Sequence, residues 1–418
     1  MSRAPHSART SLDQFEPRAV ASCPVTGKQA RLAARIGRLG TESAFEVLAK
    51  ARALESQGRK IVHLEIGEPD FDTPAHITEA AAEALRSGFT HYNPAPGYPE
   101  VREAVGEFFG RTGRPAYTAD RIIITPGAKP IMFYAILALC QEGDEVLYPD
   151  PGFPMYESLA NFAGATPVPV TLREENEFRM DPDEVASLVT DRTRLLVLNT
   201  PHNPCGSALT KEDVEALARI ALDHDLYVLS DEVYWAIRYG GEHASIAAVD
   251  GMKDRTILLD GCSKTFAMTG WRLGFAAFPP ELVEPVIRMI INTVSCTSAF
   301  SQRAILAAVT GPWEPIQAMI DEFQKRRDVI VEGLNRIPGI TCIEPAGAFY
   351  AFPNVKQLGV PSDKVASFLL DEAGVACLSG TAFGAGGQGY LRFSYANSVD
   401  AIRAALDAVE ASLPDLKI

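Results

Sequence analysis

The stretch GCSKTFAMTGWRLGF, residues 261–275, sets Lys264 between the strand-like apolar run TILLD (256–260) and a segment that carries a second cation, Arg272. A lysine fixed at a strand end is a nucleophile in waiting, since its amine condenses with a carbonyl to a Schiff base. Asp231, in SDEVY (230–234), stands at the end of another apolar run. A buried carboxylate there can hold a pyridine nitrogen protonated. Together the two residues are the pair needed to make a carbonyl-bearing pyridine ring an electron sink, the use proteins make of pyridoxal phosphate.

A scaffold must bring these residues together. From about residue 76 the chain alternates strand-like and helix-like pieces. The strands read as RIIIT (121–125), EVLYP (145–149), RLLVLN (194–199), LYVLS (226–230), TILLD (256–260) and LGFAAF (273–278). Several are unbroken apolar runs, as in strands buried on both faces. Between them KEDVEALARIALDHD (211–225) places Val214, Leu217, Ala218 and Ala221 on one helical stripe, with Thr210 as its cap. This alternation predicts an α/β domain with a mainly parallel sheet.

After about residue 316 the order changes to a long charged helix (316–335), a strand FYAFPNV (349–355), a helix (362–373), a strand YLRFSYA (390–396) and a final helix from about 399. That is a smaller α+β unit. The expected division is an N-terminal arm over 1–40, a small domain from 41–75 with 316–418, and a large α/β domain over 76–315. A chain of 418 residues also exceeds the size at which one hydrophobic core stops growing.

Ligands of open parallel sheets bind beyond the carboxyl ends of the strands. TPGAK, NTPHNPCG, SDEVY and DGCSK all follow strand ends, so they are expected to converge on one crevice. TPGAKP (125–130) opens a helix, whose free N–H groups suit an anion; an ordinary strand-to-helix turn reads the same way. GAGGQG (384–389) has the glycine spacing of a dinucleotide loop but leads into a strand where that motif needs a helix. SKT (263–265) lacks the glycine that a P-loop requires before its lysine.

Composition narrows the partners. The excess of 53 acidic over 39 basic residues gives a net charge of -14, which disfavours nucleic acid and anionic membrane surfaces. Seven scattered cysteines, none in a C-x-x-C pair, indicate neither a disulfide framework nor a zinc site. They point to a reducing compartment, with the cytoplasm as the expected location. No apolar run approaches the roughly 18 to 20 residues of a membrane helix. The first forty residues carry seven basic and two acidic residues. That bias resembles an organellar transit peptide, or else marks an arm with a short helix near KQARLAARIGRL that orders against a partner subunit. Pro5, Pro17 and Pro24 argue for the arm.

The ordered set GEPDF (67–71), YNPAPG (92–97), TPGAKP, NTPHNPCG, SDEVY, SKTFAMTGWRLG and LRFSYA (391–396) resembles the class I/II aminotransferases, from about residue 41 to about 412. The resemblance implies the aspartate aminotransferase fold, fold type I: a large domain with a mainly parallel sheet between helices, and a smaller α+β domain. It also implies pyridoxal 5'-phosphate and assigns roles position by position. Lys264 would hold the cofactor as the internal aldimine and then move protons. Asp231 would pair with the pyridinium nitrogen. Tyr234 and Asn203 would hydrogen-bond the 3-oxygen, and Phe153 would stack on the ring. The phosphate would lie on the backbone at Ala128 and Lys129, on Ser263 and Arg272, and on Tyr92 of a second subunit. Arg392 would grip the substrate carboxylate, with Asn203 beside it and Gly67 allowing close approach.

The chain departs from the family pattern at Cys205, where many relatives have threonine, at Gly261, where some have a hydroxyl, and at Phe153 in place of Trp or Tyr. These departures bear on affinity and substrate fit more than on the cofactor. The implied activity is ping-pong transfer of an amino group from an L-amino acid to a 2-oxo acid, by a homodimer with shared sites. An oxidase, cyclase or elimination/replacement enzyme on the same fold is the alternative. A ligand-sensing regulator would need a DNA-binding module, for which the forty residues before the fold leave little room. No cation can be assigned to a substrate's distal carboxylate, so the amino acid stays open.

Overall fold

The computed structural model describes residues 32–416. Most of the expected N-terminal arm therefore lies outside the described residues; its described end holds a short 3-10 helix, Ala34–Arg38.

The first strand, β1 (Val62–His63), belongs to a small peripheral pairing. The main sheet is built from β2 (Ile122–Thr125), β3 (Glu145–Asp150), β4 (Thr166–Thr171), β5 (Thr193–Asn199), β6 (Tyr227–Asp231), β7 (Thr256–Gly261) and β8 (Gly274–Ala277). Their spatial order is β2-β8-β7-β6-β5-β3-β4. All neighbours pair in parallel except around β8, which runs antiparallel to both β2 and β7. The apolar runs read from the sequence are these strands to within a residue.

Strand side chains alternate between faces, and both faces are covered. Ile123, Val146, Val197, Leu229 and Leu259 pack under helices Lys129–Leu139, Met155–Ala163 and Pro280–Thr293. Leu147, Leu196, Leu198 and Val228 pack under helix Lys211–Asp223. That helix starts with a reciprocal cap: the Asp213 N–H donates to the Thr210 hydroxyl at 3.1 Å, and the Thr210 N–H donates to Asp213 at 2.9 Å. Such a cap is worth about 1 kcal/mol.

The remaining strands, β9 (Tyr350–Ala351), β10 (Val375–Ala376), β11 (Leu378–Ser379) and β12 (Leu391–Ser394), are short. β1 pairs with β10 in parallel, so a segment near residue 62 joins one near 375. β11, β12 and β9 form an antiparallel sheet in that order. Helices Ser43–Ser56, Glu314–Arg336 and Val399–Ser412 surround these strands.

Three elements differ from expectation. β4, TPVPVT, was not anticipated because two prolines interrupt it; as the edge strand, pairing only with β3, it can do without their missing donors. The strand expected over 349–355 shrinks to β9, since Pro353 cannot donate to a ladder. The helix expected over 362–373 is α-helical only for Ser362–Phe368 and closes as a π turn, Leu369–Ala373, with Gly374 at φ 67° as its left-handed stop.

Candidate active site

β2, β5, β6 and β7 end on one side of the sheet, and their exits line a cavity of about 550 Å³. The convergence read from the four polar clusters is present. Of the twelve residues singled out, eleven line this cavity: Gly67, Ala128, Lys129, Phe153, Asn203, Asp231, Tyr234, Ser263, Lys264, Arg272 and Arg392. Tyr92 does not. It is 89% exposed and lines a separate groove with Phe89, Cys296 and Phe300.

Lys264 projects from the four-residue helix Cys262–Thr265 that follows β7. Its Nζ donates to the Gly67 carbonyl. Burial pulls its ammonium from the usual lysine range down to about 8; Glu68 opposes this, and Arg392 and Arg272 add to it. An amine with a pKa near neutrality has a usable free-base fraction, which a nucleophile and proton carrier needs.

Asp231 ends β6 and is buried. The Tyr156 hydroxyl donates to its Oδ2 at 2.6 Å and the Val233 N–H reaches Oδ1 at 3.4 Å. Both partners are neutral. Burial pushes the carboxyl up to about 7; the two hydrogen bonds oppose the shift, and Asp260 and Glu232 add to it. A buried carboxylate whose two hydrogen-bond partners are neutral, at the wall of a cavity, is complementary to a protonated ring nitrogen.

This has a measurable consequence. A carboxyl whose folded pKa is raised contributes fully to stability below its unfolded pKa, and the contribution is lost as pH rises through the folded value. Without cofactor, wild type should therefore lose stability relative to Asp231→Asn between about pH 4 and pH 7, by about 1.4 kcal/mol per unit. Denaturant unfolding of both proteins across that range checks it. A pH-independent difference would mean that the carboxylate already has a counter-charge.

On the opposite wall Arg392, from β12, is buried with its guanidinium 4.5 Å from the Tyr350 ring and 4.8 Å from the Phe383 ring. Nη1 donates to Asn203 Oδ1 at 3.0 Å and Nη2 to the Glu65 carbonyl, while the buried Nε has no partner among the described residues. Tyr234 shares a 2.7 Å hydrogen bond with Tyr350, and burial pushes its hydroxyl well above the usual range, so it stays a donor.

Glycines shape two close approaches. At Gly127, φ is 93° and a Cβ would collide with the Arg272 guanidinium, so a bare backbone turn, the start of helix Lys129–Leu139 and Arg272 form one cup, with Ser263 also on the cavity wall. At Gly67 a Cβ would strike the Tyr350 hydroxyl. The constraint there is the tyrosine, which adds to the close approach expected from sequence.

Sequence reasoning missed Tyr156, Tyr350, Glu42 and Glu68. Tyr156 lies three residues beyond Phe153, in the first turn of helix Met155–Ala163, with no motif to mark it. Tyr350 lay within a strand whose facing could not be read. Glu42 pairs with Lys129, and Glu68 accepts from the Thr269 hydroxyl. GAGGQG, rejected as a dinucleotide loop, instead packs on the large sheet: its Gly386 N–H donates to Asp150 Oδ1 at 3.0 Å.

The profile of the family "Aminotransferase class I and II" matches residues 59–409. The chain belongs to this family. It is 43% identical over 362 residues to aromatic-amino-acid aminotransferase 2 of Thermococcus litoralis, covering 86% of this chain and 93% of that one. It is 42% identical over 364 residues to an aspartate aminotransferase of Pyrococcus abyssi, with the same coverage. Among solved structures, the aspartate aminotransferase of Rhizobium meliloti superposes with a TM-score of 0.89 at 34% identity, over 93% of this chain and 100% of that one. The protein is thus a fold type I aminotransferase that depends on pyridoxal phosphate.

The residues present fit that cofactor on their own chemistry. The free carboxylate of Asp231 suits the ring nitrogen, the cup at Gly127 and Arg272 suits the phosphate, and Lys264 suits the carbonyl.

Proposed function

We propose that this aminotransferase works by a ping-pong sequence at Lys264, taking the amino group of an L-amino acid and passing it to a 2-oxo acid. The observation that carries this reading is the meeting of Lys264, Asp231 and Arg392 in one cavity. Pyridoxal phosphate, when bound, supplies a carbonyl for amines and a ring that takes up the electron pair left by a departing α-proton.

The chain's own residues do the rest. Arg392 takes the substrate carboxylate: its fork lies against the Tyr350 and Phe383 rings, and its Nε has no partner among the described residues. This orients the α-proton for transfer. Lys264 Nζ accepts that proton and returns it, since its lowered pKa leaves it partly neutral. Asp231 would hold the cofactor's ring N–H, with Tyr156 fixing the carboxylate's direction. Tyr234 and Asn203 would donate to the cofactor's 3-oxygen, Phe153 would cover its ring, and the backbone of Ala128 and Lys129 with Ser263 and Arg272 would seat its phosphate.

The same reading takes 41–75 with 316–418 as the small domain and 76–315 as the large one, supported by the β1–β10 pairing and the β11-β12-β9 sheet. It makes the enzyme a homodimer: Tyr92 stands exposed beside a groove with Leu85 and Phe300, as suits a residue that completes a neighbour's site. A cytoplasmic location is supported by six unpaired cysteines among the described residues. No helix among them is long and apolar enough to cross a membrane.

Titrating the purified holoenzyme with a panel of amino acids, without any oxo acid, tests the reading. The visible band of the lysine-linked cofactor should fall as the band of the aminated cofactor grows, with one oxo acid released per site. The amino acid that does this at lowest concentration identifies the substrate class. Product formed without amination of the cofactor would replace transamination with another reaction.

A further inference from the structure

Behind the cavity floor lies a second set of ionisable side chains that the proposed reaction does not use. Register pairs Asp231 with Leu259, so Asp260 leaves β7 on the opposite face, as do Ser230 and Glu232 beside Asp231. Arg114, from the loop after helix Pro99–Arg111, enters this space. Its Nη1 donates to Asp260 Oδ2 at 2.8 Å and lies 3.9 Å from Glu232 Oε2. All three side chains are buried.

The set is closely held. The guanidinium lies 4.3 Å from the Trp235 ring and 4.6 Å from the Phe109 ring. Glu232 accepts from the Ser230 and Ser245 hydroxyls at 2.8 and 2.6 Å and pairs with His243 Nε2 at 2.7 Å. The other oxygen of Asp260 accepts the Gly261 N–H at 2.7 Å. Gly261 caps the short helix that carries Ser263 and Lys264.

Burying a guanidinium among aromatic rings is a poor route to stability, since apolar side chains of similar volume do as well without desolvation. The placement is informative instead. Arg114 stands between the exits of β6 and β7, the two strands that deliver Asp231 and Lys264.

We infer that Arg114 is a positioning residue of the active site: it pairs with Asp260 and offsets part of the charge of Glu232 behind Asp231, and through Asp260 it fixes the Gly261 turn from which Lys264 projects. This rests on the roles proposed above for Asp231 and Lys264. The titratable groups that act on Asp231 are Tyr156 from helix Met155–Ala163 and Tyr234 from its own strand exit, with Asp260 from β7 and Glu232 behind it on the other face of the sheet. Without the charge of Arg114, Asp260 would lose its ion-pair partner and Glu232 would keep only His243 and its two serines, so both carboxylates would oppose ionisation of Asp231 more strongly.

The test compares wild-type holoenzyme with Arg114→Gln, Arg114→Lys and Asp260→Asn, reading the pH profile of kcat and the pH titration of the lysine-linked cofactor's visible band. Arg114→Gln should raise the acid limb by about one pH unit, and Asp260→Asn, which keeps an acceptor for Gly261, should lower it by a similar amount. Arg114→Gln should also reduce kcat about tenfold with KM within about twofold, and displace the band's midpoint; Arg114→Lys should restore both. Unmoved limbs and bands in both charge-altering variants, with only a lower melting temperature, would overturn the inference. If Arg114→Gln does not fold, an unmoved limb in Asp260→Asn overturns it alone. If wild type forms no lysine-linked band, the roles of Lys264 and Asp231 fail first and this inference falls with them.

Discussion

Replacing Lys264 by alanine is expected to reduce turnover on the order of a thousandfold or more, because under the proposed mechanism it removes both the amine that holds the cofactor and the base that moves the α-proton. Stopped-flow half-reactions with a saturating amino acid measure it directly. The fold should survive, since Lys264 sits on a four-residue helix and, among the described residues, its amine makes a single hydrogen bond, to the Gly67 carbonyl. Stability also separates the roles. Lys264's folded pKa is depressed to about 8, so its contribution is present above its unfolded pKa and is lost as pH falls through about 8. Without cofactor, wild type should therefore weaken relative to Lys264→Ala as pH falls from about 10 to about 7. Turnover within tenfold of wild type would remove Lys264 from the chemistry.

Much of this site was legible because it lies at strand ends. Buried parallel strands must be apolar along their whole length, so the first polar residues after RLLVL, LYVL and TILL stand out, and the topology brings them together. Lys264 and Asp231 were found that way, whereas Asn203 was singled out only by the family resemblance. Tyr156 and Tyr350 were not, because a tyrosine in a helix or short strand reads the same whether its hydroxyl meets Asp231, Tyr234 or water. The Arg114 set was hidden for a different reason. Arg114, Glu232, His243 and Asp260 come from four separate segments, and only packing reveals that they meet. β4 escaped because Pro167 and Pro169 argue against a strand until its edge position is known.

The other large effect concerns Tyr92, the one site candidate that its own chain leaves outside the cavity. Tyr92→Ala should lower kcat/KM on the order of tenfold to a hundredfold, as for loss of one hydrogen bond to a charged group. Substitution alone does not say whose site the hydroxyl serves; mixing does. If each site takes Lys264 from one chain and Tyr92 from its partner, a hybrid of Lys264→Ala and Tyr92→Ala chains has one site lacking both residues and one lacking neither. Random reassociation gives about half hybrids with one intact site each, so an equimolar mixture of two nearly inactive proteins should recover about a quarter of wild-type activity. Denaturing and refolding the proteins together, with separately refolded parents as controls, measures the gain. Activity equal to the mean of the parents would place Tyr92 in its own chain's site or in none, and the exposed groove around it would then need another explanation.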